Sequence, residues 1–161
     1  MPPTRIAFRP MSADEFERYL ARSIPEYADA HLRAGHVAPE DSLKRAQEDY
    51  ADLLPQGLAT PGNHFFTITA ADGGASLGMC WFEIKQRHGK TRAFIFDFYL
   101  EQAQRGRGLG RPIMDELERR AAALGAVSIG LHVFGDNLPA RALYEKCGFR
   151  YADMQMTKDL A

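Results

Sequence analysis

The sequence is poor in the features that mark secreted, membrane-spanning and metal-binding proteins. It has two cysteines, Cys80 and Cys147, whose spacing matches neither a disulfide framework nor a metal-ligand pattern. We therefore predict no metal and a reducing, cytoplasmic location. No apolar run approaches the roughly 20 residues of a membrane-spanning helix, and the N-terminus has no signal-peptide core. No membrane partner is expected.

The chain also lacks a strong excess of charge. It carries 20 lysine and arginine residues against 21 aspartate and glutamate residues, which gives a formal net charge of -1. This balance provides no global electrostatic reason to bind nucleic acid, so no nucleic-acid partner is expected. With 161 residues, of which 45% are hydrophobic, the chain has the size and composition of one globular domain. We predict a single domain over residues 1–161.

Hydrophobic periodicity predicts helices in the first third of the chain. A short strand over residues 4–9 precedes them. Ser12 and Glu15 have the spacing of a capping box at the start of the first helix. Pro25 is expected to interrupt that helix, because a proline cannot donate the helical hydrogen bond. A further helix is predicted over residues 39–54.

The pattern then changes to that of strands joined by glycine-containing turns. The predicted strands cover residues 64–70, 77–85, 92–100, 127–134 and 149–158. Helices are predicted after the third of these strands, over residues 109–124, and after the fourth, over residues 138–147. This order predicts an α/β fold of α+β type, with a mixed, mostly antiparallel central sheet flanked by helices.

The stretch from Gln104 to Gly110 has the composition of an anion-binding loop. Three glycines alternate with basic residues between an apolar strand and an amphipathic helix. Glycine allows unusual backbone angles and close approach, and amides at a helix N-terminus bind anions such as phosphate. The chain has no Gly-x-x-x-x-Gly-Lys-Ser/Thr run. The third glycine of a dinucleotide-binding fingerprint would fall at Arg111.

A second segment, from His132 to Phe149, follows the loop after one helix and one strand. Together the two segments resemble the GNAT superfamily of acyl-CoA-dependent N-acetyltransferases. Residues 105–110 match its Arg/Gln-x-x-Gly-x-Gly/Ala loop, and residues 137–149 match its Asn…Ala…Leu-Tyr-Glu-Lys-x-Gly-Phe segment. The resemblance implies a GNAT-like sheet with a splayed strand pair at the coenzyme site, and acetyl-CoA as the co-substrate.

The resemblance also implies the residues of the coenzyme site. The loop amides and arginines would bind the pyrophosphate of coenzyme A, and the preceding strand would pair with the pantetheine arm. The Leu100 amide would stabilise the developing oxyanion, and Tyr144 would donate a hydrogen bond to the departing thiolate. The implied coenzyme-binding residues are Phe98, Tyr99, Leu100, Arg105, Gly106, Arg107, Gly108, Leu109, Gly110, Asn137 and Tyr144.

The general base and the acceptor site are less sharply defined. His132 lies where some relatives carry an acid, and it is our candidate catalytic base. Asp97 and Glu83 are alternative proton relays, and a chain of waters could replace a single base. Acceptor specificity is expected from residues 19–61, because family members vary the acceptor pocket in their N-terminal helices. The candidate contacts there are Tyr27, His31 and His36.

We therefore predict an enzyme that moves the acetyl group of acetyl-CoA to a primary amine by direct attack in a ternary complex. The acceptor would be a small-molecule or peptide amine. Two other functions stay open, a non-catalytic acyl-CoA-binding or sensing module and a nucleotide-phosphate binder. Pairing of two chains through the sheet, which is frequent in the family, would give a homodimer.

Overall fold

A central five-stranded sheet organises residues 4–161, the part of the chain that this computed structural model describes. The strands are β1 (Ile6–Pro10), β2 (Asn63–Ala70), β3 (Ser76–Arg87), β4 (Lys90–Leu100) and β5 (Ile129–Leu131). The helices are α1 (Ala13–Arg33), α2 (Ser42–Leu53), α3 (Gly110–Ala123) and α4 (Leu138–Lys146). The strands lie side by side in chain order, and all neighbours are antiparallel except β4 and β5. The predicted mixed, mostly antiparallel sheet is confirmed.

Helices pack on both faces of this sheet, because successive strand residues point to opposite sides. Cys80 and Phe82 of β3 belong to the core that contains α3, whereas Met79 and Trp81 belong to the core that contains α1 and α2. Trp81 and Phe82 are almost completely buried, at 1% and 0% exposure. The strand β3 is therefore covered by helices on both of its faces.

The first helix begins as predicted and ends later than predicted. The Ser12 hydroxyl accepts from the Glu15 amide, and the Glu15 carboxylate accepts from the Ser12 amide, so the capping box is present. The predicted break at Pro25 is wrong, because α1 runs through it to Arg33. Pro25 leaves the Ala21 carbonyl without its helical donor. Both residues are exposed, so water can satisfy that carbonyl.

The second predicted helix begins as a short 3-10 turn over Pro39–Asp41 and then continues as α2.

The C-terminal strands differ most from the prediction. The strand expected over residues 127–134 is reduced to Ile129–Leu131. Within residues 4–161, the chain after α4 forms neither strand nor helix, so the strand predicted over residues 149–158 is wrong. Met154 and Met156, which lie in the predicted strand, are 70% and 88% exposed. An alternating pattern forms a strand only beside a partner edge, and the three residues of β5 provide a very short one.

A bulge interrupts the pairing of β3 with β4. Trp81 pairs with Asp97, but the next residue of β3, Phe82, pairs with Ile95. Phe96 is therefore an extra residue in β4. As a result, Phe96 and Asp97 both contact the α1 side of the sheet, whereas Ile95 packs in the α3 core.

The end of β4 depends on close backbone approach at Gly78, which pairs with Leu100. A Cβ atom added to Gly78 would lie 2.1 Å from the Tyr99 carbonyl oxygen. We expect Gly78→Ala to lower the free energy of unfolding by about 1–3 kcal/mol, as overpacking against rigid structure does, measured by chemical denaturation. Gly135→Ala is the matched control, since its added Cβ meets nothing within 4 Å. Equal stability of the two variants would contradict this assignment.

Candidate functional site

A gap between β4 and β5 forms the centre of the candidate site. The two strands pair from Ala93 with Ile129 to Ile95 with Leu131. β4 continues beyond this point to Leu100, but β5 ends at Leu131. The splayed strand pair implied by the family resemblance is therefore present, and it begins beside the bulge.

The backbone of β4 presents free amides to this gap. The Glu101 N–H donates to the Leu77 carbonyl oxygen of β3 at 2.9 Å. Since antiparallel residues alternate between bonded and non-bonded pairs, Tyr99 directs its amide groups to β3. Leu100 and Phe98 direct theirs the opposite way, into the gap. The Leu100 N–H is thus suitably oriented for an oxygen atom placed between the strands.

The glycine loop follows directly and leaves open space above its backbone. Gly106 and Gly108 have φ angles of 73° and 75°, in the left-handed region that favours glycine. A Cβ atom added to either meets nothing within 4 Å. Arg105 Nε donates to the Leu100 carbonyl oxygen at 3.0 Å, and Arg107 Nη1 donates to Gln104 Oε1 at 2.7 Å. The loop is therefore held at its base while its glycines stay accessible.

The loop leads into an uncapped helix N-terminus. Buried Leu109 anchors the loop, and α3 starts at Gly110 without a side-chain cap. Its first amides thus remain available to an anion. A Cβ atom at Gly110 would lie 2.8 Å from Leu143 Cδ1, so glycine lets α3 and α4 approach closely. Open glycines, free amides and two arginines suit a phosphate-bearing anion.

The next helix brings a tyrosine toward the same core. Asn137 caps α4, and its side chain accepts from the Ala140 amide at 3.3 Å. Tyr144 packs its ring against Phe149, with 5.6 Å between ring centroids, at the edge of the α3 core. Burial, and then the charge of Asp97, raise the pKa of Tyr144 to about 12. Its hydroxyl, which bonds to none of residues 4–161, is therefore a neutral hydrogen-bond donor.

Asp97 lies at the bulge in a network of hydroxyl groups. Its Oδ2 accepts from Tyr19 Oη at 3.0 Å and from Ser23 Oγ at 3.3 Å. Ser23 Oγ also bonds Tyr50 Oη at 2.6 Å. Burial raises the pKa of the Asp97 carboxyl, against these hydrogen bonds and the charge of Arg22. Of the residues in this network, only Asp97 was a candidate from the sequence, although Tyr19 and Ser23 have the spacing of neighbours on one helix face.

Arg22 lies beside this network on α1. Its guanidinium carbon is 3.5 Å from the centroid of the Tyr99 ring, in cation–π geometry. Its Nε is buried and has no hydrogen-bond partner among residues 4–161. Nothing in the sequence distinguished this arginine from the others.

The histidine candidates lie together in a different place. His132 is exposed beyond the end of β5, with its ring edge-on to Phe134 at 5.1 Å. His31 contacts the same ring at 5.3 Å, and His31 and His36 bring their Nδ1 atoms to 3.3 Å. Burial is the main cause that lowers the pKa of His31. In the described chain, no hydrogen bond or ring contact joins His132 to Tyr144.

A cleft of about 500 Å³ opens between the end of α1 and the start of α2. Its lining includes Tyr27, His31, His36, Arg45 and Asp49. Neither the glycine loop nor the splayed end of β4 contributes to it. The three acceptor contacts predicted from the sequence are therefore close together, but they line this cleft and not the gap beside Leu100.

Among residues 4–161, no group of three or more histidine, cysteine, aspartate or glutamate side chains could hold a metal ion. None of the helices described here is long and apolar enough to cross a membrane.

Comparison with known proteins shows what this chain is similar to. The model of the acetyltransferase (GNAT) family matches residues 24–149. The chain is 35% identical to the uncharacterized N-acetyltransferase YycN of Bacillus subtilis, over 96% of this chain and 99% of that protein. It is 31% identical to the uncharacterized N-acetyltransferase YdgE of the same organism, over 93% and 95% of the two chains. The crystal structure of YycN superimposes with a TM-score of 0.91, covering 97% of this chain and 99% of that one.

The burial of Asp97 gives a pH-dependent prediction. Because the folded-state pKa lies above the ordinary value of 3.8, the unfolded chain releases this proton at lower pH. The ionised carboxylate thus costs folding stability above its folded-state pKa, and this cost disappears below 3.8. We expect Asp97→Asn, which keeps an oxygen acceptor for Tyr19, to be more stable than the native protein at pH 7. The difference should shrink toward zero as the pH approaches 3.8, in denaturation curves across that range. An Asp97→Asn variant that is less stable at pH 7 would contradict it.

Proposed function

Because this chain belongs to the GNAT family of acetyltransferases, we propose that it transfers the acetyl group of acetyl-CoA to a primary amine. Both substrates would be bound at once, and the amine would attack the thioester directly. The observation that carries this proposal is the position of the Leu100 amide, which faces the gap between β4 and β5 next to the glycine loop.

Coenzyme A would bind chiefly through the backbone. We assign its pyrophosphate to the amides of residues 105–110, with Arg105 and Arg107 adding positive charge. The pantetheine arm would pair with the outward-facing groups of Phe98 and Leu100. Tyr99, whose amide groups face β3, and Asn137, which already caps α4, stay predicted coenzyme contacts.

The Leu100 amide would stabilise the negative charge that develops on the thioester oxygen. A preorganised donor of this kind contributes roughly 3 kcal/mol to the barrier in other enzymes. The amine must lose one proton before its lone pair attacks the carbonyl carbon. As the C–N bond forms and the C–S bond breaks, the electron pair goes to sulfur. Tyr144 would donate a hydrogen bond there, and a second amine proton completes the thiol.

A general base must accept the first proton that the amine loses. His132 stays our sequence-based candidate, and its exposure beyond β5 favours a role through water. Asp97 is favoured by its position on β4, three residues before Leu100. A desolvated carboxylate with a raised pKa is a stronger base than an exposed one.

The proposed function is tested by an acceptor screen that measures free CoA thiol. Purified protein, acetyl-CoA and a panel of small-molecule and peptide amines should give thiol release that depends on the amine. Tight binding of acetyl-CoA without transfer to any amine would instead favour a sensing module. Competition by ATP but not by coenzyme A would favour a nucleotide-phosphate site.

Gly108→Glu should abolish coenzyme binding, because it places a carboxylate where the pyrophosphate would lie. The matched control is Gly73→Glu, at a turn with a φ angle of 82° and equally open space. Both variants carry the same backbone strain and added charge, so their stabilities should fall alike. Calorimetry should show loss of acetyl-CoA binding for Gly108→Glu alone. Retained affinity would remove the loop from the site.

Tyr144→Phe should lower kcat by roughly 10- to 100-fold, the value of a hydrogen bond to a charged group. The affinity for acetyl-CoA should hardly change, because the ring contact with Phe149 is preserved. Tyr151→Phe serves as the control, since that hydroxyl bonds only Arg141 and Glu145 among the described residues. If kcat is unchanged in steady-state kinetics, Tyr144 is structural.

A further inference from the structure

Arg22 of α1 is a half-buried cation. No hydrogen bond or ion pair to it occurs within residues 4–161, although its Nε is buried. Its guanidinium carbon lies 3.5 Å from the centroid of the Tyr99 ring and 5.8 Å from that of the Tyr19 ring. A guanidinium is planar and presents its N–H groups in one plane, the geometry that suits a carboxylate.

The carboxylate of Asp97 lies on the same side of the sheet as Arg22. Asp97 is close enough for the charge of Arg22 to lower its pKa against the effect of burial. The two side chains nevertheless form no ion pair within 4.0 Å, unlike the seven pairs found elsewhere in the described chain. Tyr19 and Ser23 hold the carboxylate instead. One cation and one anion are thus held apart by separate contacts.

This arrangement also lies on the acceptor side of the gap. The Tyr99 ring belongs to the core of α1 and α2, whereas the neighbouring side chains of Phe98 and Leu100 pack toward α3, which follows the glycine loop. Asp97 lies on β4 only three residues before Leu100, whose amide is proposed to face the thioester. A molecule bound between Arg22 and Asp97 would therefore place its amine near the reacting thioester.

We propose that Arg22 and Asp97 select an acceptor that carries a carboxylate and a primary amine in one molecule, an amino acid or a close analogue. The carboxylate would bind the guanidinium of Arg22, and the ammonium would bind the carboxylate of Asp97. This inference rests on the proposed function and adds the substrate class. Asp97 takes one proton from the ammonium, which leaves the amine lone pair free to attack, and later releases that proton to solvent.

The test compares acceptors that differ in one group. Tyrosine, histidine, lysine and glutamate are each assayed beside the amine that lacks the carboxylate and the amide that neutralises it, together with 4-aminobutyrate. Thiol release gives kcat/KM for each. Buried polar groups reject ligands that leave them unpaired, so at least one amino acid should exceed its two analogues by roughly 10- to 100-fold.

Variants identify the side chains that cause the preference for acceptors with a carboxylate. Arg22→Gln should remove the preference for carboxylates, and Arg22→Lys should restore part of it, because lysine keeps the charge but not the planar fork. Arg18→Gln, an exposed arginine of the same helix, should keep the full preference. Asp97→Asn should lower kcat/KM for every amine at least tenfold. Circular dichroism and melting curves verify folding, and the KM for acetyl-CoA should stay unchanged.

The outcomes distinguish a failure of the inference about the acceptor from a failure of the proposed acetyltransferase function. Transfer to amines without any preference for a carboxylate, or a preference that survives Arg22→Gln, overturns the inference and leaves the acetyltransferase intact. A raised KM for acetyl-CoA in Arg22→Gln would assign the arginine to the coenzyme instead. If no amine is acetylated, the proposed function fails. In that case, the melting temperature is measured with each compound of the same panel in the presence of coenzyme A. No rise in melting temperature at millimolar concentration would overturn the inference that Arg22 binds carboxylates.

Discussion

The bulge at Phe96 is the constraint on which the candidate site depends. One extra residue in β4 changes which side chains face α1, and it lies where the pairing of β4 with β5 ends at Ile95. Beyond it, the free edge of β4 presents backbone groups that would otherwise bond a neighbouring strand. The same shift brings Asp97 to the α1 face. A single irregularity therefore creates both the proposed thioester contact and the carboxylate beside it.

The two proposed substrates would be recognised by different parts of the chain. The proposed coenzyme side would consist mainly of backbone, namely the glycine loop, the start of α3 and the end of β4, and it would require particular backbone angles and open space. These requirements are visible in the sequence, because they call for glycine at positions such as Gly108 and Gly110. The acceptor side consists of side chains from α1, α2 and β4, whose chemistry depends on packing between distant elements.

This difference explains what could be predicted from the sequence. The sheet and the capping box at Ser12 were predicted, because hydrophobic periodicity and residue spacing indicate them locally. The splayed strands were implied by the family resemblance of the two motifs. The Asp97 network was not, since its members come from three elements separated by up to 78 positions in the chain. Pro25 was misjudged because an exposed carbonyl can bond water. The strand predicted over residues 149–158 does not form, because β5 has only three residues and provides a very short partner edge.

Electrostatics couple the two sides of the gap. The charge of Asp97 contributes to a Tyr144 pKa of about 12, well above the roughly 8.5 of a thiol, so Tyr144 stays protonated while Asp97 is ionised. Protonation of Asp97 removes that charge and lowers the pKa of Tyr144, which strengthens it as a hydrogen-bond donor. In the proposed reaction, Asp97 would gain its proton before the thiolate develops. The step that frees the amine would then also prepare the group that receives the departing sulfur.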